Sequence, residues 1–227
     1  MQCLTKQLNF LYKSSNIIFY RQAAGLSVNS IRPLPTSTIV RTKSSQRHRT
    51  MSTSSVSDFP PAAVRPILEE VTSLLKSRGE TISVAETAAG GLISSSLLSG
   101  PGASKIYKGG LTLYTLPSRI AYAGWTQETI ADYSGPTTDI VSGLATAVRK
   151  DLDSTYTISE SGTAGPTGGT TENRQPGYVA LAVACDRGTF TREVKTGLGG
   201  DRVANMVQFA IEALRLLKDV ITEEAKL

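Results

Sequence analysis

The run GYVALAVAC, residues 177 to 185, constrains the fold more than any other part of this 227-residue chain. It is nearly continuous in apolar residues, which suits a central strand covered on both faces. Such a strand needs helices on each side, and the flanking sequence supplies them. From Pro61 to Arg78, Val64, Ile67, Leu68, Val71, Leu74 and Leu75 recur at helical spacing, and Gly79 supplies a stop. TISVAE (81–86) predicts a short strand that leads through TAAGG into a small-residue helix closed by Gly100. GGLTLYT (109–115) predicts the next strand, TQETIADY (126–133) a short helix with Thr126 as its N-cap, and residues 137–152 a capped helix. STYTISESG (154–162) predicts a strand, and FTREVKT pairs back on the apolar run through a turn at Asp186-Arg187 or Arg187-Gly188. GGDRVANMVQFAIEALRLLKDVI is a long amphipathic C-terminal helix, with Met206, Phe209, Ala210, Leu214 and Leu217 on one side. The order α-β-α-β-α-α-β-β-β-α predicts a single three-layer α/β/α domain with a mixed sheet over residues 61–222, preceded by a polar linker at 51–60.

Charge separates this domain from what precedes it. Residues 1–50 hold eight Lys/Arg and no Asp or Glu, leaving 16 basic and 19 acidic residues for the rest of the chain. The basic pI near 9.2 therefore belongs to the extension and is no nucleic-acid footprint on the body. A disordered, Ser/Thr/Arg-rich, acid-free segment with Leu4, Leu8 and Leu11 at helical spacing reads as a mitochondrial transit peptide, or as a tail with no address. Its apolar runs are too short to span a bilayer. MSTSSVSDFPPAAV, from Met51, reads as an ordinary soluble N-terminus, so a second start there would give a cytoplasmic form.

The single histidine, His48, lies in the extension. The domain thus has no imidazole for a Ser-His-Asp triad, a Cys-His dyad or an imidazole-ligated metal. No metal or other cofactor is expected. Any proton acceptor must be a lysine, tyrosine, carboxylate or water. Of the two cysteines, Cys3 lies in the extension and Cys185 ends the apolar run, where it reads as a core residue.

Four places can carry chemistry. ETAAGG (86–91) sits at a strand-to-helix turn, where Gly90 and Gly91 allow close backbone approach and Glu86 ends the strand. It reads either as an anion-binding turn or as a tight turn in which Glu86 caps the helix. SGTAGPTGGTTENRQPG (161–177) follows a strand, where α/β folds gather ligands, and is a functional or a mobile loop. Asp201 and Arg202 open the last helix, as anion ligands or as an N-cap with a solvated neighbour. Ser104 lies in a Gly-Ala turn, where serine is ordinarily a cap or turn residue.

Together, in order and spacing, these segments resemble the C-terminal domain family of the competence/damage-inducible protein CinA. The family pattern runs AES-C-TGG, then G-S/A-S followed by Y-S/T-N-x-x-K, then GAVSE, then GIAGPxGGxxxKPVG, then GDR at a final helix. This chain has AETAAGG (85–91), GASKIYKGGLTLYTLPSR (102–119), GPTTD (135–139), GTAGPTGGTTENRQPG (162–177) and GDR (200–202). The resemblance implies an amidohydrolase that removes ammonia from the carboxamide of nicotinamide mononucleotide or a related small amide, working as a homo-oligomer without nucleic acid or membrane. It implies catalytic roles for Ser104 as nucleophile, Tyr114, the base position at Arg119, and Thr87, which keeps the hydroxyl of the AES serine. Glu86, Gly90, Gly91, Gly162, Gly165, Gly168, Gly169, Asp201 and Arg202 would bind substrate, with Arg202 at the phosphate and backbone N–H groups of 85–91 or 162–169 on the oxyanion. The chain departs from the pattern at Arg119, where lysine is expected. A buried lysine can give up its proton near neutrality, whereas an arginine cannot serve as a base. Ala88, Ala89, Leu116 and Gln175 also replace polar or charged residues. The alternative is a nucleotide-binding module of the same fold that has lost turnover.

Overall fold

The computed structural model describes residues 58–131 and 133–226. The expectations for residues 1–50 and for most of the linker lie outside them. The order is α1 (Arg65–Arg78), β1 (Ile82–Glu86), α2 (Leu92–Ser99), β2 (Tyr107–Thr112), α3 (Leu116–Tyr122), α4 (Gln127–Ala131), α5 (Thr138–Leu152), β3 (Tyr156–Gly162), β4 (Tyr178–Cys185), β5 (Gly188–Lys195) and α6 (Arg202–Ile221), with short 3-10 turns at Ala103–Lys105 and Glu172–Arg174. The sheet runs β2-β1-β3-β4-β5. β1 is parallel to both neighbours, and β3, β4 and β5 are antiparallel, so the sheet is mixed as expected.

The apolar run dictates both helical layers. Every residue of β4 is buried. Val179, Leu181, Val183 and Cys185 join the large core formed with α1, α2 and α6, including Leu75, Ile93, Phe209 and Leu214. The alternate residues Tyr178, Ala180, Ala182 and Ala184 meet Val141 and Ala145 of α5. Alternation along a strand sends successive side chains to opposite faces, and the alanines let α5 lie close to the sheet. A third cluster, with Ala85, Leu113, Trp125, Leu144 and Val148, packs the α3–α4 segment over the parallel edge. Cys185 is buried core.

Three boundaries differ from expectation. α1 starts at Arg65 because residues 61–64 form a turn closed by Val64 N–H on Pro61 O. β2 ends at Thr112, and Leu113 N–H makes a last bond to Glu86 O before the chain turns away. Residues 116–122, to which the sequence assigns only a short segment opened by Pro117, form α3, with Thr115 as N-cap on Ser118 N–H and Pro117 in the first turn. That start signal was present, but the helix is too short for periodicity to reveal.

Candidate functional site

β1 lies between two parallel partners reached in opposite directions, with α2 leading one way and α5 the other. The carboxyl ends of β2, β1 and β3 therefore frame the switch-point crevice where α/β sheets bind ligands. Three of the four motif segments converge there, together with Thr87 and Arg119.

The first turn after β1 is built on two fully buried carboxylates. Glu86 accepts N–H bonds from Gly91 (3.0 Å), Ile93 (3.0 Å) and Ser94 (2.8 Å), and the Ser94 hydroxyl at 2.5 Å. It caps α2, satisfying donors that a helix N-terminus leaves free. Glu160, one register step beyond the Ala85–Ser159 pair on β3, presents Oε2 to Thr87 N–H (3.1 Å) and Ala89 N–H (2.9 Å). Its Oε1 is buried without a hydrogen-bond partner.

These bonds correct one expectation and narrow another. Glu86 is fully buried and committed to the helix, so it is not a substrate ligand. The N–H groups of residues 87, 89 and 91 are already held by the protein's own carboxylates, so after β1 the 85–91 turn leaves only those of Ala88 and Gly90 without a protein acceptor among the described residues. Further open backbone donors lie in the Gly-rich loop. Among the described residues, the N–H groups of Ala164, Gly165, Thr167 and Gly168 bond to no protein acceptor.

That loop is tied to its surroundings by hydrogen bonds. Gly169 N–H binds Arg174 O, Thr163 N–H binds Tyr178 O, and buried Asn205 of α6 donates to Ala164 O and Gly199 O at 2.9 Å each. A side chain at Gly168 would place Cβ 2.6 Å from Arg174 O, and at Gly162 2.8 Å from Phe209 and Tyr178 O, so both positions are confined to glycine by close approach. The loop and the α4–α5 connection enclose a cavity of about 270 Å³ lined by Tyr133, Pro136, Thr163, Thr167, Gly168 and Arg174.

Arg202 joins the loop to β2: it donates to Gly165 O (2.9 Å) and to the Tyr114 hydroxyl (3.2 Å). Tyr114 is exposed. Asp201 is the N-cap of α6, accepting Ala204 N–H at 3.1 Å, and so acts on the helix rather than on a ligand. Gly90 packs in the turn, where its Cβ would lie 3.1 Å from Met206.

Arg119 is buried between two rings, 4.9 Å from the Trp125 centroid and 5.1 Å from that of Tyr133. Its Nε donates to Leu113 O at 3.4 Å, and Nη1 has no partner. A guanidinium stacks well on aromatic faces, which explains why arginine suits a position where lysine was expected. Thr87 is nearly enclosed, and its hydroxyl bonds to no described residue.

Ser104 stands elsewhere. It is exposed on the 3-10 turn that precedes β2, at the amino end of that strand. Six strand residues, about 20 Å at roughly 3.3 Å each, separate that end from Tyr114 and Arg119. The expected pairing of Ser104 with residue 119 is absent from this chain, because a strand carries its two ends to opposite sides of the sheet. Glu160, Trp125, Tyr133 and Asn205 were not singled out from the sequence. The signal available was a charged residue inside the otherwise uncharged strand STYTISESG.

Burial pushes the Glu160 carboxyl up to about 7, opposed by the N–H bonds from Ala89 and Thr87 and by Arg119, and reinforced by Glu86. The folded chain therefore holds this proton where the unfolded chain has lost it. Stability attributable to Glu160 is full below the ordinary carboxylate range and is lost as pH rises towards 7, by about 3 kcal/mol. Urea unfolding at pH 5 and pH 8 will show that decline, and Glu160→Gln will reduce it.

The comparisons with known proteins agree with this fold. The family model for the CinA C-terminal domain matches residues 64–221, the whole of the described α/β body. The chain belongs to the CinA C-terminal domain family. A CinA-like protein of Shewanella piezotolerans is 33% identical over 161 residues, covering 71% of this chain and 38% of its own length. A second, from Shewanella amazonensis, is 38% identical over 127 residues, covering 56% and 30%. This CinA-family chain thus matches only about a third of the length of these curated relatives. The fold matches the crystal structure of a competence or damage-inducible protein from Enterobacter asburiae, with TM-score 0.64 and 23% identity over 70% of this chain and 98% of that one. It also matches the competence/damage inducible protein CihA from Agrobacterium tumefaciens, with TM-score 0.65 and 23% identity over 71% and 97%.

Proposed function

We propose that this chain is an amidohydrolase that releases ammonia from the carboxamide of nicotinamide mononucleotide or a close analogue. The observation that carries the reading is the unpartnered Thr87 hydroxyl at the carboxyl end of β1, flanked on the next strand by the Gly-rich loop with open N–H donors. Thr87 keeps the hydroxyl of the family's AES motif in AETAAGG. In this mechanism Thr87 Oγ1 forms a bond to the amide carbon, and loop N–H groups hold the oxyanion. The C–N bond breaks as the nitrogen takes up a proton and leaves as ammonia. Water then cleaves the threonyl ester, giving the carboxylate and restoring the hydroxyl. Arg202, tied to Gly165 and Tyr114, supplies positive charge for the phosphate, and the planar rings of Trp125 and Tyr133 with Arg119 border the site.

The test is to incubate the full chain with nicotinamide mononucleotide and measure ammonia and the carboxylate product. Stoichiometric appearance of both is expected. Saturable binding without either product would instead support the nucleotide-binding module.

A further inference from the structure

We propose that Arg174 is the phosphate ligand of this site: the free end of its guanidinium, with open N–H groups of the Gly-rich loop, binds the phosphate monoester of the mononucleotide. The proposal deepens the amidohydrolase reading and rests on it for the nucleotide. The side chain is exposed, yet its stem is held before any ligand arrives. Its Nε donates to Ser134 O at 3.0 Å. Two motif glycines enclose the stem: a Cβ on Gly169 would lie 2.9 Å from Arg174 Cβ and Cδ, and one on Gly135 3.1 Å from its Cγ and Nε. Asn173 beside it ties the same loop to Pro136 O at 3.0 Å. The outer end of the fork is left over. Among the described residues, neither Nη1 nor Nη2 of Arg174 has a hydrogen-bond or ion-pair partner. The neighbouring acid, Glu172, is paired with Lys195 instead, at 2.5 Å.

The cavity that Arg174 borders suits an anion. Its volume is about 270 Å³, and Arg174 is the one charged group among the described residues that line it. Thr167 and Gly168 also line it, and their N–H groups and the Thr167 hydroxyl bond to no described residue. A second guanidinium stands behind one wall, because Arg119 stacks 5.1 Å from the centroid of the Tyr133 ring. Two N–H groups, a hydroxyl and a planar fork, with no carboxylate among them, match the oxygens of a phosphate. The space is smaller than the roughly 300–1,000 Å³ of pockets for drug-sized ligands, so it takes a phosphate and its sugar rather than a whole mononucleotide. Arg202 adds charge, but both of its terminal nitrogens already serve protein oxygens, Gly165 O and the Tyr114 hydroxyl. An arginine whose stem is already fixed loses little freedom when it binds.

Ribose 5-phosphate tests the site apart from the reaction, because it carries the phosphate monoester but no amide to hydrolyse. Binding to the full chain is measured by isothermal titration calorimetry, with ribose as the uncharged counterpart. Wild type is expected to bind ribose 5-phosphate saturably and to prefer it clearly over ribose. Arg174→Ala and Arg174→Gln are each expected to bind ribose 5-phosphate about 10–100-fold more weakly than wild type. Arg174→Lys, which keeps the charge without the fork, is expected to fall between. Asn173→Ala, which loosens the same loop and leaves the charge in place, is expected to keep wild-type affinity. Wild type that does not prefer ribose 5-phosphate over ribose overturns the proposal. So do folded Arg174 variants with wild-type affinity, and so does a loss in Asn173→Ala as large as that in Arg174→Ala, which would make the role of Arg174 structural. If Arg174→Ala does not fold, Arg174→Gln and Arg174→Lys decide. Arg174-dependent binding in a chain that releases no ammonia from nicotinamide mononucleotide upholds the anion site and refutes the amidohydrolase reading. Ammonia release with a KM unchanged in Arg174→Ala does the reverse.

Discussion

If the chain is the proposed amidohydrolase, Thr87→Ala is expected to lower ammonia release from nicotinamide mononucleotide by about 10³-fold or more and Ser104→Ala to leave it within about twofold of wild type. The magnitude is that of removing a nucleophile whose partners remain in place, a loss that appears in kcat rather than KM. The contrast between the two variants follows from the parallel edge of the sheet. Thr87 stands where β1 ends, beside Leu113 and the residues that follow it, whereas Ser104 precedes β2 and is exposed at the far end. Thr87→Ser, which preserves the hydroxyl, retains activity. Parallel kinetics of the three variants make the check, and loss of activity in Ser104→Ala with retention in Thr87→Ala would return the nucleophile to Ser104.

Glu86→Ala costs about 3–5 kcal/mol of stability. One fully buried carboxylate holds the N–H groups of Gly91, Ile93 and Ser94 together with the Ser94 hydroxyl. Truncation leaves those donors without a partner, and each buried donor left unsatisfied costs about 1–3 kcal/mol, less whatever water entering the space recovers. Glu86→Gln keeps one acceptor oxygen and costs less. For a domain of this size the alanine variant melts about 10 °C lower, and urea midpoints with unchanged slope will separate lost stability from a changed denatured state. A stability equal to wild type would refute the capping role and return Glu86 to the list of possible ligands.

Much of the fold was legible because it is written in short-range terms. β4 announced itself by an unbroken apolar run, α1, α5 and α6 by helical spacing and by Thr137 and Asp201 at their starts, and the β4–β5 hairpin by its turn. α3 was missed because seven residues give too little periodicity, although Thr115 and Pro117 marked its start. At the site, the motif segments identified the right loops but not the partners of each side chain. Glu86 and Glu160 are 74 residues apart in sequence, and only the parallel pairing of β1 with β3 brings them under one turn. Nothing local distinguishes a glutamate that caps a helix from one that meets a ligand.

The sequence by itself determined the layered α/β class, the family, the glycine-rich loop and the absence of imidazole from the domain, since each depends on residue type and spacing alone. Tertiary structure decided which hydroxyl stands at the site, which N–H groups are already occupied, and that Arg119 is stacked between Trp125 and Tyr133. The reason is that a β-strand separates near neighbours in sequence by its own length, while strand pairing joins residues far apart. Hydrogen-bond partners and burial, which set the chemistry of Glu160, exist only once that pairing is made.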